Sequence, residues 1–267
     1  MNNKYELTDE TKNFCGITLH RIRALRDIPS VKVKSGDLGG WIEKESNLSQ
    51  DGDAWVSGDA WVYGNATVYG DAEVSDNAKV CGNATVYSNA TVYSDAIVSG
   101  NATVCGNAKV CGNAKVYGDA EVYGDAEVIN FQDYAVHKNS WSSGRWFTYT
   151  RSNKMWKVGC FCGTGEELVK KAYADSELSG KCYEAIVRAQ EAIDKAIADA
   201  KEAKMNNARQ ETVADIVREM RIGDLCAEDT VARSMYINDF LASYADRIEA
   251  AWKREREAGA AAAIAQL

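Results

Sequence analysis

Two histidines and eight cysteines are the residues of this chain that could act as a general base, a nucleophile or a soft metal ligand. His20 lies in an alternating run near the N-terminus, and His137 follows Tyr134-Ala135-Val136. Histidine is the commonest general base because its pKa lies near neutrality. His137 is therefore the one candidate catalytic residue, set against the plainer expectation of a structural ring at a strand end. Cys160-Phe161-Cys162 could offer a nucleophile, but nothing beside it in sequence supplies a base, and a packed thiol is the simpler reading. The pair is one residue short of a CxxC, and no cysteines have metal-finger spacing, so no metal is expected. Each glycine of the central stretch stands alone rather than in a phosphate-cradling run, so no cofactor is expected either.

Binding chemistry has the stronger basis, because acidic and aromatic side chains recur on a fixed period. Asp59, Asp71, Asp95, Asp119 and Asp125 share one position of a six-residue unit, and Tyr69, Tyr87 and Tyr123 share another. That unit is A-x-V-x-G-[ND]. Valine occurs at every sixth residue from Val56 to Val128, and alanine keeps the same step from Ala54 to Ala126. A helix is excluded, since residues six apart would advance by about 600° and smear over all its sides. In a strand, A-x-V-x points alanine and valine to one face. The Gly-Asn or Gly-Asp pair that follows supplies a bend. Short strands joined by bends, with only small apolar residues inside, make a narrow solenoid.

The period resembles that of hexapeptide-repeat β-helices, in which three units make one coil, and this resemblance implies that every third unit falls in the same stacked column. One outward column then reads Tyr69, Tyr87, Cys105, Tyr123, and another Thr67, Thr85, Thr103, Glu121. The three solenoid cysteines, Cys81, Cys105 and Cys111, fall in different columns and form no ligand ladder. Charge is also concentrated here: between Gln50 and Val128 there are eleven acidic residues and three lysines, a net charge equal to the −8 of the whole chain. Such a surface disfavours nucleic acid and anionic membranes and suits a basic partner.

The period resembles the hexapeptide repeat of left-handed parallel β-helices. With Lys4-Tyr5, Leu19–Asp27, Val31-Lys32, Gly39-Gly40-Trp41 and Leu48-Ser49-Gln50, the chain from Lys4 to about Asn130 is similar to the YdcK family of bacterial and prophage repeat proteins. The segment Gly159–Glu167 is similar to one found in prophage members. The resemblance implies a mainly β fold: a left-handed parallel β-helix with irregular β caps and an α-helical C-terminal region. It also implies a homotrimer, a phage origin, and, as the alternative drawn from the hexapeptide acyltransferases, an acyl-transfer reaction with His137 as base.

The expected divisions are an N-terminal β cap over 1–47, the β-helix over 48–138, a hairpin cap over 139–165 and a helical region over 166–267. Thr164 with Glu167 forms a helix-starting capping box. Asn206-Asn207 reads as a break in the long helix and Thr212 as the cap of a short one ending at Gly223. A last amphipathic helix carries Ile237, Leu241, Tyr244, Ile248 and Trp252. With no signal peptide and no apolar run long enough to span a bilayer, the expected location is the cytoplasm, with reduced thiols. The functional expectation is a non-catalytic binding protein that engages a host protein through its acidic solenoid and helical arm. A small-molecule-sequestering module is a further alternative.

Overall fold

The computed structural model describes residues 3–226, and the side-chain surroundings of residues 3–207. One unit, Met1–Ala189, contains the elements below apart from the later part of the last helix, which belongs to a second unit starting at Gln190.

β1 (Tyr5–Phe14) and β2 (Ile17–Ala24) form an antiparallel hairpin that turns through Cys15 and Gly16. β3 (Leu38–Ile42) pairs antiparallel with β2 on one side. On its other side it runs parallel to the solenoid, with Trp41 opposite Trp61 and Ile42 opposite Val62. Strands β4 (Trp55–Val56) to β16 (Glu127–Val128) are each two residues long. They stack into three parallel sheets in which partners stand one three-unit coil apart, as in Thr67↔Thr85 and Val92↔Val110. The chain is mainly β, a parallel β-solenoid of about five coils.

The period dictates this arrangement physically. Every alanine and valine of the repeat is buried in one continuous core, and each buried valine is worth roughly 1.5–3 kcal/mol. Between strands the backbone must turn a corner with one left-handed residue per unit. Gly70 does so at φ +73°, and a Cβ there would lie 2.9 Å from the Ser88 nitrogen. Asp76 takes the same conformation without being glycine, and its Oδ2 accepts a hydrogen bond from the Ser94 N–H at 2.9 Å. That bond reaches one coil along the stack, and aspartate's own tolerance of the left-handed region lets it hold the turn.

An open solenoid end exposes both core and backbone, and the two ends are closed differently. At the N-terminal end Tyr5, Ile22, Ala24, Ile28, Ile42 and Leu48 extend the alanine–valine core. Lys4 is fully buried there; its Nζ donates to the Ala54 carbonyl at 2.7 Å. At the other end side-chain hydroxyls meet the last coil. Thr148 Oγ1 accepts from Glu121 N–H and Ser152 Oγ from Glu127 N–H, both at 2.8 Å, and Tyr134 donates to the Lys115 carbonyl at 2.9 Å.

Burial, and secondarily the charge of Arg26, lowers the Lys4 pKa from 10.5 to about 8. Below pH 8 the ammonium is protonated in both folded and unfolded chains, and the full desolvation penalty is present. As pH rises from 8 towards 10.5 the folded state releases its proton first, so stability should rise, by up to roughly 3 kcal/mol. The gain ends near about pH 10, because burial raises the Tyr5 phenol above its usual value and ionisation then favours the unfolded chain. Urea midpoints at pH 7 and 8.5 check this: the wild-type midpoint should rise relative to that of Lys4→Met, which carries the same raised thiols.

Three expectations are corrected. The first coil begins at Trp41 and Ile42 rather than near residue 48, and Leu48 bridges in parallel to Val68. From Trp41 to its partner Trp61 the chain takes two residues more than the regular coil, and the side chains are larger, so a search on period six passes over this coil. The segment after the solenoid is a four-stranded antiparallel sheet, not a hairpin: β17 (Tyr134–Lys138), β18 (Trp146–Thr150), β19 (Met155–Val158) and β20 (Phe161–Gly163). It draws in residues 134–138, which the sequence divisions place in the solenoid. After α1 (Gly165–Asp175), α2 runs without interruption over Glu177–Cys226. Asn206, Asn207, Thr212 and Gly223 all lie within it. Each asparagine costs a helix under about 1 kcal/mol, too little to break one flanked by alanine, lysine and glutamate. The expected helix around Ile237–Trp252 lies outside the described residues.

Candidate functional site

The five aspartates lie on three separate edges of the solenoid and are tied into its framework. Along one edge Asn65, Asn83, Asn101 and Asp119 form a ladder, each amide Nδ2 donating to the next Oδ1 at 2.9–3.2 Å. A second ladder is Asn89→Asn107→Asp125, with bonds of 3.1 and 2.9 Å. On the third edge Asn77 donates to Asp95 at 3.2 Å. Asparagine both donates and accepts, whereas an ionised aspartate only accepts. Aspartate is therefore the residue that can end such a ladder. Asp71 accepts from the Asp53 N–H at 3.3 Å. Asp59 accepts from Lys12 Nζ at 2.9 Å and Trp41 Nε1 at 3.3 Å, and the Lys12 bond leads in holding its carboxyl below the usual range.

Tyr69 and Tyr87 stack with ring centroids 5.0 Å apart and planes 5° from parallel. Tyr123, two coils further, lies instead beneath Lys157 Nζ at 4.6 Å. Cys105 sits between Tyr87 and Tyr123 in the column and is buried. Burial raises its thiol pKa and that of Cys111, although hydrogen bonds from Tyr87 and Tyr93 pull the other way. A raised thiol pKa disfavours the thiolate, so these are packing thiols and not nucleophiles.

His137 is in β17, in register with Phe147. Its ring stacks on Phe147 at 5.3 Å and leans on Trp156 at 5.7 Å. The ring is a component of the aromatic core of the C-terminal cap. His20 lies in β2, with Nδ1 3.4 Å from the Thr8 carbonyl. The structure does not bring the two histidines and the cysteines together, and among the described residues no three His, Cys, Asp or Glu side chains converge as a metal site. No described helix is long and apolar enough to cross a membrane.

The concave feature lies elsewhere. A cavity of about 270 Å³ opens between the cap sheet and the helices, and Arg145, Lys171 and Asp175 supply its charged walls. Its position follows from local structure. The Asn139 N–H donates to the Arg145 carbonyl at 2.8 Å, closing the β17–β18 turn. Asn139 is buried, and its Nδ2 donates to Tyr183 OH at 3.1 Å, tying that turn to α2. The Thr164 capping box starts α1, with Glu167 N–H to Thr164 Oγ1 at 3.3 Å and Thr164 N–H to Glu167 Oε2 at 2.9 Å. Leu168 and Ala172 are then buried against the sheet, with Lys171 and Asp175 at the rim. Arg145 also borders a groove of about 260 Å³ containing Asp119, Glu121 and Trp146. The sequence reading missed Arg145 and Lys171. One is on a turn and the other on a helix, far apart along the chain, and only the expected hairpin cap over 139–165 marked the region.

Fold and surface together define a β-solenoid repeat protein. A family model described as the YdcK beta solenoid repeat matches residues 60–76 and 78–94. The two matches start at Ala60 and Ala78, so each takes in about one coil. No curated protein matches the chain.

Proposed function

We propose that the protein is a non-catalytic binding protein whose solenoid presents acidic edges to a basic protein partner. The Asn/Asp ladder carries this reading. It fixes one carboxylate at the end of each amide ladder, Asp95, Asp119 and Asp125, one on each edge, and a carboxylate already held in place attracts a basic surface without the entropic cost of ordering its side chain. Its narrower form is a phage-encoded anti-defence factor that occupies a host nucleic-acid-binding protein. The assembly proposed with it is a homotrimer; the exposed Tyr117, Ile129 and Phe131 offer apolar surface for such a contact. The acyltransferase alternative gains no support from the packing of His137 between aromatic rings.

The ladder also supplies a clean test. Asparagine already occupies equivalent positions, so Asp71→Asn, Asp95→Asn, Asp119→Asn and Asp125→Asn together remove four charges while keeping the acceptor oxygens. Wild-type protein should capture a basic protein from bacterial lysate at low salt and release it near about 0.5 M salt, where screening is strong. The four-fold variant should capture at least about tenfold less. Equal capture by both would sink the proposal, and acyl-CoA consumption lost in His137→Ala would replace it with the enzymatic reading.

A further inference from the structure

We infer that the cavity between the C-terminal cap sheet and the two helices binds a small organic anion, a phosphate or carboxylate group carried on a short apolar body. The inference does not rest on the acidic edges, and either can fail alone.

Charge comes first. Arg145 and Lys171 both line the cavity, and among the described residues neither forms an ion pair. Among the described residues Asp175 is the one acidic side chain on the wall, so the lining itself sums to one positive charge, with Asp119 and Glu121 across Arg145 in the neighbouring groove. Arg145 stands between the cavity and the neighbouring groove, with Nη1 beside Gly159 of the groove, where a Cβ would come within 3.1 Å of it. Lys171 Nζ is 5.8 Å from the Phe161 ring centroid, a weak contact that leaves its donors available.

A neutral donor and an apolar floor complete the site. Tyr183 OH accepts from Asn139 Nδ2 at 3.1 Å and keeps its own proton to donate, whereas the Ser142 hydroxyl donates to Asn139 Oδ1 at 3.0 Å. Val158 and Leu168 give the apolar surface. A guanidinium with a nearby phenolic hydroxyl recognises an oxyanion through charge-assisted bonds. The groove on the other side of Arg145 holds Asp119 and Glu121 and repels anions, which confines an anion to the α1 side.

Cys160 is exposed and lines the same cavity, so its alkylation reports occupancy without any assay of activity. The full chain would be treated with iodoacetamide alone or with inorganic phosphate, glycerol phosphate or succinate, and modification mapped by mass spectrometry. At least one anion should slow alkylation of Cys160 about threefold or more, and that of the exposed Cys15 not at all. Phosphates acting without succinate would assign a phosphoryl ligand, and the reverse a carboxylate. Arg145→Gln or Lys171→Gln should weaken the protecting anion about tenfold, the effect of losing one charge-assisted bond. Lys181→Gln, on the exposed face of α2, should leave protection unchanged. The inference is overturned if no probe protects Cys160 at about 10 mM, where a weak site would fill. Protection that survives in Arg145→Gln/Lys171→Gln overturns it equally. Of the four Asp→Asn changes only Asp119→Asn touches the groove beside Arg145, so Cys160 protection is measured in the chain with Asp119 intact and the two proposals are tested separately.

Discussion

Val92→Asp should unfold the solenoid. Val92 is fully buried in the middle of its sheet, with Val74 on one side and Val110 on the other. Its removal forfeits roughly 1.5–3 kcal/mol of apolar burial. The new carboxylate would face only alanine and valine, and leaving it unpaired costs several kcal/mol more, whether as a buried charge or as a forced protonation. A total above about 4 kcal/mol exceeds most single substitutions. Because each coil is stabilised chiefly by its neighbours, a break at the centre leaves two short stacks, each with one uncapped end. Circular dichroism and thermal melting would measure this, and a melting point within a degree or two of wild type would contradict the packing described above.

Gly39→Val should detach the N-terminal cap, with a cost of about 3 kcal/mol or more. A Cβ at this position would lie 2.5 Å from Ile22 Cγ1, 2.6 Å from the Val56 carbonyl oxygen and 2.7 Å from the Trp55 ring. Ile22 could change rotamer, but the Val56 oxygen is backbone and cannot move without distorting the coil. β3 would have to withdraw, losing the bonds from Trp41 N–H to the Ala60 carbonyl at 2.9 Å and from Glu43 N–H to the Val62 carbonyl at 3.1 Å. Hydrogen exchange gives a local readout. The Trp41 and Glu43 amides should exchange much faster in the variant, while those of the central coils change less. Wild-type protection at both amides would show that β3 tolerates the side chain.

These two substitutions mark what kinds of structure a sequence displays. The burial of Val92 was legible, because a strict period of six admits one geometry and that geometry points every valine inward. The role of Gly39 was visible only as a motif, Gly39-Gly40-Trp41. That the chain crosses Ile22, Trp55 and Val56 at close range is a long-range contact, and nothing local encodes it.

The aspartates show a further limit. Their shared position in the repeat suggested a common acidic surface, but coils of three units distribute them over three edges. Their place at the ends of amide ladders depends on which residue lies one coil away. That neighbour can be read from the sequence once the coil length is known, but the direction of the hydrogen bonds cannot.

By itself, then, the sequence determined the solenoid: its six-residue unit, its alanine–valine core and its concentrated negative charge, with the three-unit coil supplied by the resemblance to hexapeptide-repeat β-helices. The unit, the core and the charge follow from a local repeat in which every unit meets a copy of itself. The tertiary structure decided the ends and the cavity. Leu48 and Ile42 became coil residues despite their irregular spacing, Thr148 and Ser152 met the last coil's amides, and Arg145 and Lys171 came to face one space from a turn and a helix. Each of these contacts joins segments of unlike sequence, and their pairing is set by how surfaces fit after folding rather than by any period along the chain.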